Sequence, residues 1–238
     1  VIVVVGVFVG IQVSNWNAER ADRIRGEQFA ERLRDDLRQE RWLYDFMLAY
    51  HSDVRDSARA ATAALEGRTP LSNHDLLVQA YRATQYREGA RRRATYDELV
   101  STGSLGLIAD QRMLGAAAQL YRIRTIDNLV LESLQSPYRR EFRMSVDSDV
   151  QRQLARACGD RYIRPGDYAG MGEVLGFPCK IELPPAAIDA AAEGLRSNPA
   201  LRRALRLRLA DLETRMVDFT GNNREVFQAL HEVTGDPP

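Results

Sequence analysis

The first thirteen residues, Val1–Val13, contain one polar side chain, Gln12. As an α-helix this run is about 20 Å long, whereas a bilayer core takes roughly 20 apolar residues. Because the chain does not begin with Met, we expect the N-terminus to lie upstream and residues 1–17 to be the C-terminal part of a transmembrane helix. A buried core strand is the alternative for a run of Val and Ile. No small-residue cleavage site follows the run, which disfavours a signal peptide.

The residues around this run fit a membrane boundary. Trp16 and Gln12 lie near the predicted end of the span, where an aromatic ring with a polar N–H is favoured among lipid headgroups. Gly6 and Gly10 form a Gly-x-x-x-Gly pair, a spacing that allows two membrane helices to approach closely. We therefore consider Gly6 and Gly10 a possible helix–helix contact. The alternative is that glycine is common in such helices without a contact.

Two stretches carry a resemblance to a known family. The stretch GIQVSNWNAER, Gly10–Arg20, resembles the motif of Gln-x-Asn-Asn-Trp-Asn type that closes the N-terminal span in an uncharacterised bacterial family of single-span membrane proteins. Gly10 and Ser14 depart from that motif. The stretch TYDELVSTGSLGLI, Thr95–Ile108, is similar to a second segment of the same family. The resemblance implies a membrane anchor followed by a helical domain of unknown function, and it implies no activity.

Charge and motif content exclude several classes of function. The chain has 33 basic and 33 acidic residues, whereas nucleic-acid-binding proteins usually carry a basic excess. None of the three histidines has a Cys or His at metal-ligand spacing, and no phosphate loop, dinucleotide fingerprint or nucleophile elbow occurs. We therefore expect no catalytic residue, cofactor, metal site or nucleic-acid partner.

The rest of the chain predicts an all-α fold. Apolar residues at steps of three and four indicate a long helix over residues 18–65. Further helices are predicted over residues 73–85, 110–135 with Asp110 as N-cap, and 198–233 with Pro199 in the first turn. We expect two or three such helices to pack with the long helix as an antiparallel bundle, so that residues 18–238 form one helical extramembrane domain.

Local patterns within this domain predict finer features. Thr95 and Glu98 have the spacing of a capping box, and Gly103 suits the left-handed end of the helix that they begin. The run Arg91–Arg93 is interpreted as a solvated turn, with contact to anionic lipid or phosphate as the alternative. Asn222 and Asn223 interrupt the apolar stripe of the last helix, either to set helix register or to face water.

Residues 158–185 form a Gly- and Pro-rich insertion that contains both cysteines of the chain. A disulfide between Cys158 and Cys179 gives this irregular stretch a means of staying ordered, and stabilises it by about 3 kcal/mol on a chain-entropy estimate. The alternative is two unrelated buried thiols. Because disulfides persist outside the cytosol, the cysteines favour an extracytosolic compartment.

Together these features predict a membrane-anchored, non-enzymatic protein of a bacterial inner membrane, with a single span and the helical domain in the periplasm. Its expected role is that of an accessory, scaffold or interaction subunit, with the lipid bilayer and a protein partner or a second copy as partners. One alternative is a membrane-tethered, ligand-sensing helical bundle, which needs a cavity with converging polar groups. The other is an enzyme with an unrecognised site, which needs strongly shifted pKa values in a cleft.

Overall fold

The chain is all-helical over residues 2–235, which are the residues that this computed structural model describes, apart from the side chains of residues 2–4 and 130. Within these residues there are eleven α-helices and no β-strand. Val1 and the side chains of residues 2–4, which belong to the predicted span, lie outside the described part. The helices are α1 Ile2–Leu65, α2 Asn73–Ala83, α3 Ala94–Ser101, α4 Gln111–Leu120, α5 Leu129–Gln135, α6 Pro137–Ser145, α7 Ser148–Cys158, α8 Met171–Val174, α9 Pro185–Ser197, α10 Pro199–Val217 and α11 Arg224–Thr234.

The long first helix is continuous and buries the stripe that its sequence predicts. The steps of three and four place one face of α1 in the protein core from Phe29 onward. Except for the buried Glu40 and Arg41, the charged side chains between these positions are exposed or partly exposed, and surface ion pairs such as Arg38–Asp35 contribute little stability. The stripe residues that are buried are Leu33, Leu37, Tyr44, Met47, His51, Val54, Ala58, Ala61 and Leu65.

The prediction of only two or three further helices is wrong, because two predicted long helices are interrupted and α7 and α9 are additional. The helix predicted from Asp110 ends at Leu120, and a run of turns precedes α5. Leu131 and Leu134 therefore do not continue its apolar stripe, and Leu134 is 80% exposed. Asp110 is the predicted N-cap, since its carboxylate accepts the Met113 N–H. The guanidinium of Arg215 donates to the carbonyl of Thr125, which helps to hold the turns.

The last predicted helix is also divided. Asn198 caps α10 by accepting two backbone N–H groups, and Pro199 occupies the first turn as predicted. A π-helical turn over residues 218–222 then separates α10 from α11. The backbone N–H and the side-chain amide of Asn223 both donate to the carbonyl of Asp218, which holds the end of this turn.

In the segment around α3 the predicted capping box is wrong, and the predicted solvated turn is confirmed for the exposed Arg92 and Arg93 but wrong for Arg91. Thr95 is buried inside α3 rather than capping it, because its N–H donates to the carboxylate of Asp36. Glu98 pairs with Arg32 at 2.6 Å instead of reaching back to the helix start. Arg91 is not solvated, since it pairs with the buried carboxylate of Glu40 at 2.8 Å. Tertiary partners have thus replaced the local contacts that the sequence spacing favours.

The chain divides into two compact units. The first comprises Val1–Arg41, Arg91–Arg122 and Glu225–Pro238, and the second comprises Trp42–Ala90 and Ile123–Arg224. In the first unit, the backbone of α1 at Gly26 approaches the turn after α3 so closely that a Cβ atom would lie 2.3 Å from the Leu107 carbonyl oxygen. The buried apolar residues of the first unit are Phe29, Leu33, Leu37, Leu99, Ile108, Met113, Ala116, Ala117, Leu120, Tyr121, Phe227 and Leu230.

The second unit has a larger core built from several short helices. Here α10 packs on α6, α2 packs on α7 and α9, and α9 also contacts α6, α7 and α10. The hydroxyl of the fully buried Tyr138 donates to the carbonyl of Ala80 at 2.8 Å, so its burial leaves no polar atom unpaired. Arg208 is buried in the same unit, with its guanidinium donating to the carbonyls of Ala83 and Gln85.

The start of α1 carries apolar side chains that no part of the described chain covers. Phe8 is 61% exposed and Trp16 is 58% exposed. No helix among the described residues is both long enough and apolar enough to cross a membrane. The exposed apolar residues of this segment are Val5, Val7, Phe8, Val9, Ile11, Val13 and Trp16.

His51 is a buried histidine in the second unit, and neither of its ring nitrogens has a hydrogen-bond partner in the described chain. Its ring lies between those of Tyr50 and Phe219, with centroids 5.6 and 5.7 Å away. Burial lowers the pKa of His51 to about 3, and repulsion from Arg208 and Arg215 adds to the effect. In the unfolded chain His51 therefore becomes protonated near pH 6.5, whereas in the folded chain it stays neutral down to about pH 3. The free energy of unfolding consequently falls as the pH drops from about 6.5 towards 3.

We expect the substitution His51→Phe to remove this acid sensitivity. Between pH 6 and pH 4 the free energy of unfolding of the unsubstituted protein should fall more steeply than that of the variant, by about 1.4 kcal/mol per pH unit. Urea unfolding in mild detergent at a series of pH values measures both slopes. Parallel slopes for the two proteins would contradict the assignment of the acid sensitivity to His51.

Candidate functional site

A cleft of about 310 Å³ opens in the second unit. Its walls are one face of α1, the end of α2 and the irregular segment that follows α7. We call it the Asp53 cleft. The residues that line it are Tyr50, Asp53, Val54, Asp56, Ser57, Ala60, Gln79, Arg82, Gln85, Cys158, Asp160, Val174, Leu175, Gly176 and Phe177.

A disulfide fixes the irregular wall of the cleft. The structure joins Cys158 to Cys179, which is the pairing that the sequence analysis expected, with the two Cα atoms 5.3 Å apart. Polar contacts then hold the closed segment against α2, because Gln85 donates to the carbonyl of Cys158 and Arg82 donates to the carbonyl of Phe177. The guanidinium of Arg161 lies 3.6 Å from the centre of the Phe177 ring. The segment is therefore ordered although it contains only the single short helix α8.

Asp53 has an incompletely satisfied carboxylate at the base of the cleft. The backbone N–H of Gly176 lies close enough to this carboxylate to lower its pKa, but Oδ2 is buried and has no hydrogen-bond partner in the described chain. Burial raises the pKa of Asp53, as does the nearby charge of Asp56, while Arg82 and the Gly176 N–H act in the opposite direction. The carboxylate is thus a buried acceptor with one unpaired oxygen, and an additional hydrogen-bond donor would stabilise it.

Tyr50 and Asp160 form a second polar pair in the cleft. The Tyr50 hydroxyl donates to both oxygens of the Asp160 carboxylate, at 3.0 and 3.1 Å. Burial raises the pKa of Tyr50 well above its ordinary value, and the charge of Asp160 raises it further. Partial burial also raises the pKa of Asp160, against the hydrogen bond from Tyr50. Because the pKa of Tyr50 moves away from neutrality, its hydroxyl acts as a fixed donor and not as a base.

The arrangement suits the binding of a polar molecule with a positively charged end. Three carboxylates, from Asp53, Asp56 and Asp160, face a single guanidinium of Arg82 among the lining residues. Burial lowers the pKa of Arg82, and the charge of Asp53 opposes that shift. No group of three or more His, Cys, Asp or Glu side chains in residues 2–235 is arranged to hold a metal ion.

The residues that the sequence marked at the membrane boundary belong to the first unit, whereas the Asp53 cleft belongs to the second. Gln12 and Trp16 are exposed, and the Arg20 guanidinium lies 6.0 Å from the centre of the Trp16 ring. A Cβ atom added at Gly6 or Gly10 would meet nothing within 4 Å, so the described chain leaves both positions open. Self-association through Gly6 and Gly10 stays a prediction.

Sequence reasoning found the cysteines of the cleft but missed its polar residues. Asp53 and Arg82 lie on charged helices where acidic and basic residues alternate, and that pattern is also the pattern of a solvated surface. Asp160 follows Cys158 closely, so its position in the disulfide-closed segment was the one local signal of a special environment. The remaining information lies in long-range contacts, which a single sequence does not display.

A scan of protein-family models finds no match to this chain, and comparisons with curated proteins and with solved structures find no significant similarity. The family resemblance of Gly10–Arg20 and Thr95–Ile108 therefore stays a prediction.

We expect Gly176 to be required for the closed position of the disulfide segment over Asp53. Its φ is +58°, a conformation that costs a residue with a side chain about 1 kcal/mol or more. The substitution Gly176→Ala should therefore lower the free energy of unfolding by about that amount, as measured by urea unfolding.

The matched control is Gly172→Ala in α8, where an added Cβ meets nothing within 4 Å and φ is not positive. This variant should be as stable as the unsubstituted protein or slightly more stable. Equal losses of stability in the two variants would show that the conformation of Gly176 is not what matters.

Proposed function

We propose that this protein is a membrane-anchored, non-enzymatic helical protein, an accessory or interaction subunit in which the start of α1 is embedded in lipid. One observation supports the proposal above the others, namely that the apolar residues from Val5 to Trp16 are more than half exposed on a regular helix. A helix satisfies its own backbone hydrogen bonds, so such a segment can enter hydrocarbon without an unpaired polar group.

The exposed apolar surface is energetically large. Fully burying a Val, Ile or Phe side chain is worth roughly 1.5–3 kcal/mol, and six such residues precede Trp16 in the exposed segment. Even half of that value gives on the order of 5 kcal/mol for moving the segment out of water. An isolated stripe of this size requires a lipid or protein environment, because soluble surfaces rarely expose contiguous apolar patches so extensively.

Trp16 favours lipid as that environment. An indole ring with its N–H towards water is typical of the headgroup region. The guanidinium of Arg20, 6.0 Å from the Trp16 ring centre, lies one turn farther along α1, where a long cationic side chain can reach the aqueous side. Along α1 the apolar segment is followed by Trp16 and then by charged residues. This order matches the change in polarity from the hydrocarbon of a bilayer through its headgroups to water.

The compartment is proposed from the disulfide. Cys158 and Cys179 are bonded, and such bonds persist in the periplasm but are rare in the cytosol. Arg20, Arg23 and Arg25 oppose a periplasmic domain under the positive-inside rule. We give the disulfide more weight because long domains translocate across the membrane largely regardless of their charge. The proposal is therefore a bacterial inner membrane with the helical domain in the periplasm.

A ligand-sensing helical domain is the second candidate function. It is favoured by the Asp53 cleft, where a buried carboxylate oxygen lacks a partner in the described chain and a Tyr50–Asp160 pair lies nearby. A small molecule with an ammonium or guanidinium group has the complementary charge. This candidate is compatible with membrane anchoring, since it assigns a role to the second unit only.

Flotation with phospholipid vesicles tests the membrane anchor. The detergent-purified protein, reconstituted by detergent removal, should rise with the vesicles in a density gradient. The double variant Phe8→Asp/Ile11→Asp should remain at the bottom, because each buried Asp costs about 2.5–3.5 kcal/mol at the centre of a membrane helix. Partition into the vesicles should fall by roughly tenfold or more, because positions 8 and 11 lie towards the end of the predicted span, where an Asp costs less than at its centre.

The matched control is the double variant Ala21→Asp/Gln28→Asp, which adds the same charge at two exposed positions of α1. It should float like the unsubstituted protein. If the unsubstituted protein stays in solution without detergent and does not float, the proposed membrane anchor is wrong.

A further inference from the structure

A second cleft, of about 360 Å³, lies in the second unit between α6, α7 and the residues that end α2. We call it the Arg139 cleft. Its charge is opposite to that of the Asp53 cleft, because it contains three arginines and one aspartate. The residues that line it are Tyr81, Thr84, Gln85, Tyr86, Arg139, Phe142, Arg143, Ser148, Gln151, Arg152, Ala155 and Asp160.

Two of the arginines come from one face of α6. Arg139 and Arg143 are four residues apart, a spacing that places both side chains on the same side of a helix. Among residues 2–235, no carboxylate forms an ion pair with either of them. Arg152 is different, since it pairs with the exposed Asp149 at 2.8 Å. The cleft thus holds two guanidinium groups that form no ion pair within residues 2–235, with Asp160 as the one carboxylate among the lining residues.

Arg139 is held in an unfavourable environment. Its side chain is half-buried, and its guanidinium donates to the hydroxyl of Ser133. Burial lowers the pKa of Arg139, and repulsion from Arg143 lowers it further. A guanidinium has five N–H donors, so most of the donors of Arg139 remain available. An anion in the cleft would accept these donors and offset the repulsion.

The other walls of the cleft are aromatic and rigid. The Tyr86 ring is held by the guanidinium of Arg208, which lies 3.8 Å from its centre. Tyr81 packs against Phe142, with ring centroids 6.2 Å apart. The amide of Gln151 donates to two backbone carbonyls, which fixes its orientation at the rim. The cleft therefore combines a cationic end with flat apolar surfaces that suit an organic group.

We propose that the Arg139 cleft binds a small phosphate monoester, with the phosphate on Arg139 and Arg143 and the organic group against Tyr81 and Tyr86. The lining residues carry a formal charge of about +2, and a phosphate monoester carries about −1.5 to −2 at neutral pH. Planar guanidinium groups match phosphate oxygens with paired hydrogen bonds. The cleft has a volume at the lower end of the range for small-molecule sites. This binding is independent of membrane anchoring, which needs no ligand.

Isothermal titration with phenyl phosphate tests the proposal on the full chain in mild detergent. Phenyl phosphate should bind saturably, with one site per chain, and more tightly than inorganic phosphate, because its ring can contact the tyrosines. The variant Arg143→Gln should weaken binding about tenfold or more, which is what one charge-assisted hydrogen bond contributes. Arg143 is exposed, so this variant should fold. Arg139→Gln should have an effect at least as large.

The matched control is Arg140→Gln, which removes an equal charge from an exposed position of α6 that does not line the cleft. It should change the affinity less than twofold. Succinate carries two negative charges without a ring, and benzoate carries a ring with a single negative charge. Each should bind at least tenfold more weakly than phenyl phosphate. Vesicles that contain phosphatidic acid test whether the monoester is a lipid headgroup. If these vesicles compete with phenyl phosphate for this site, the result would support the proposal in that form.

Several results would overturn the proposal. These are no saturable heat with phenyl phosphate, equal weakening by Arg140→Gln and Arg143→Gln, or succinate binding as tightly as phenyl phosphate. Thermal melts of each variant by circular dichroism show whether a loss of binding reflects a loss of folding.

Discussion

The uncovered apolar surface at the start of α1 is the constraint on which this account depends. Water penalises exposed valine, isoleucine and phenylalanine side chains in proportion to their area. From Phe29 onward the same helix has its apolar face covered by protein. From Val5 to Trp16 nothing in the described chain covers its apolar side chains, although the helix is regular. A surface of that kind favours contact with lipid or with another protein, and the proposed membrane anchor rests on this preference.

The helical domain follows a different principle, in which tertiary contacts override local preference. The buried stripe of α1 follows from its sequence, because steps of three and four along more than thirty residues leave little ambiguity. The division of the helix predicted from Asp110 does not follow, because no Gly or Pro marks residues 121–128. That interruption coincides with the boundary between the two compact units. Leu131 and Leu134 have helical spacing with Leu120 but lie beyond the interruption, and are exposed.

The candidate sites show the same division between local and long-range information. Two cysteines at the ends of a Gly- and Pro-rich stretch are sufficient to predict a pairing, and Cys158 and Cys179 are bonded in the structure. The carboxylate of Asp53 is a site feature only because Gly176, more than a hundred residues later, lies against it. Arg139 and Arg143 share a helix face that the sequence displays, but the absence of an ion pair to either of them within residues 2–235 depends on what α2 and α7 place nearby. The sequence therefore predicts those features of the sites that depend on residues close together in the chain. It does not predict the features that arise from the packing of distant segments.

The disulfide links the structure of the second unit to its proposed compartment. It closes the segment that carries Gly176 and Phe177, and those residues contact Asp53 and Arg82. In a reducing compartment the segment would lose a constraint worth about 3 kcal/mol. The same bond thus stabilises the wall of the Asp53 cleft and favours an extracytosolic location.

The most direct test of the central claim measures what surrounds the side chains at the start of α1. Both native cysteines are in the disulfide, so a single cysteine introduced by Val9→Cys can carry a nitroxide label without other changes. In reconstituted vesicles the label should be accessible to oxygen and shielded from a water-soluble paramagnetic reagent, whereas a label introduced by Gln28→Cys should show the reverse. A label at position 9 that is as accessible to the water-soluble reagent as one at position 28 would contradict the account.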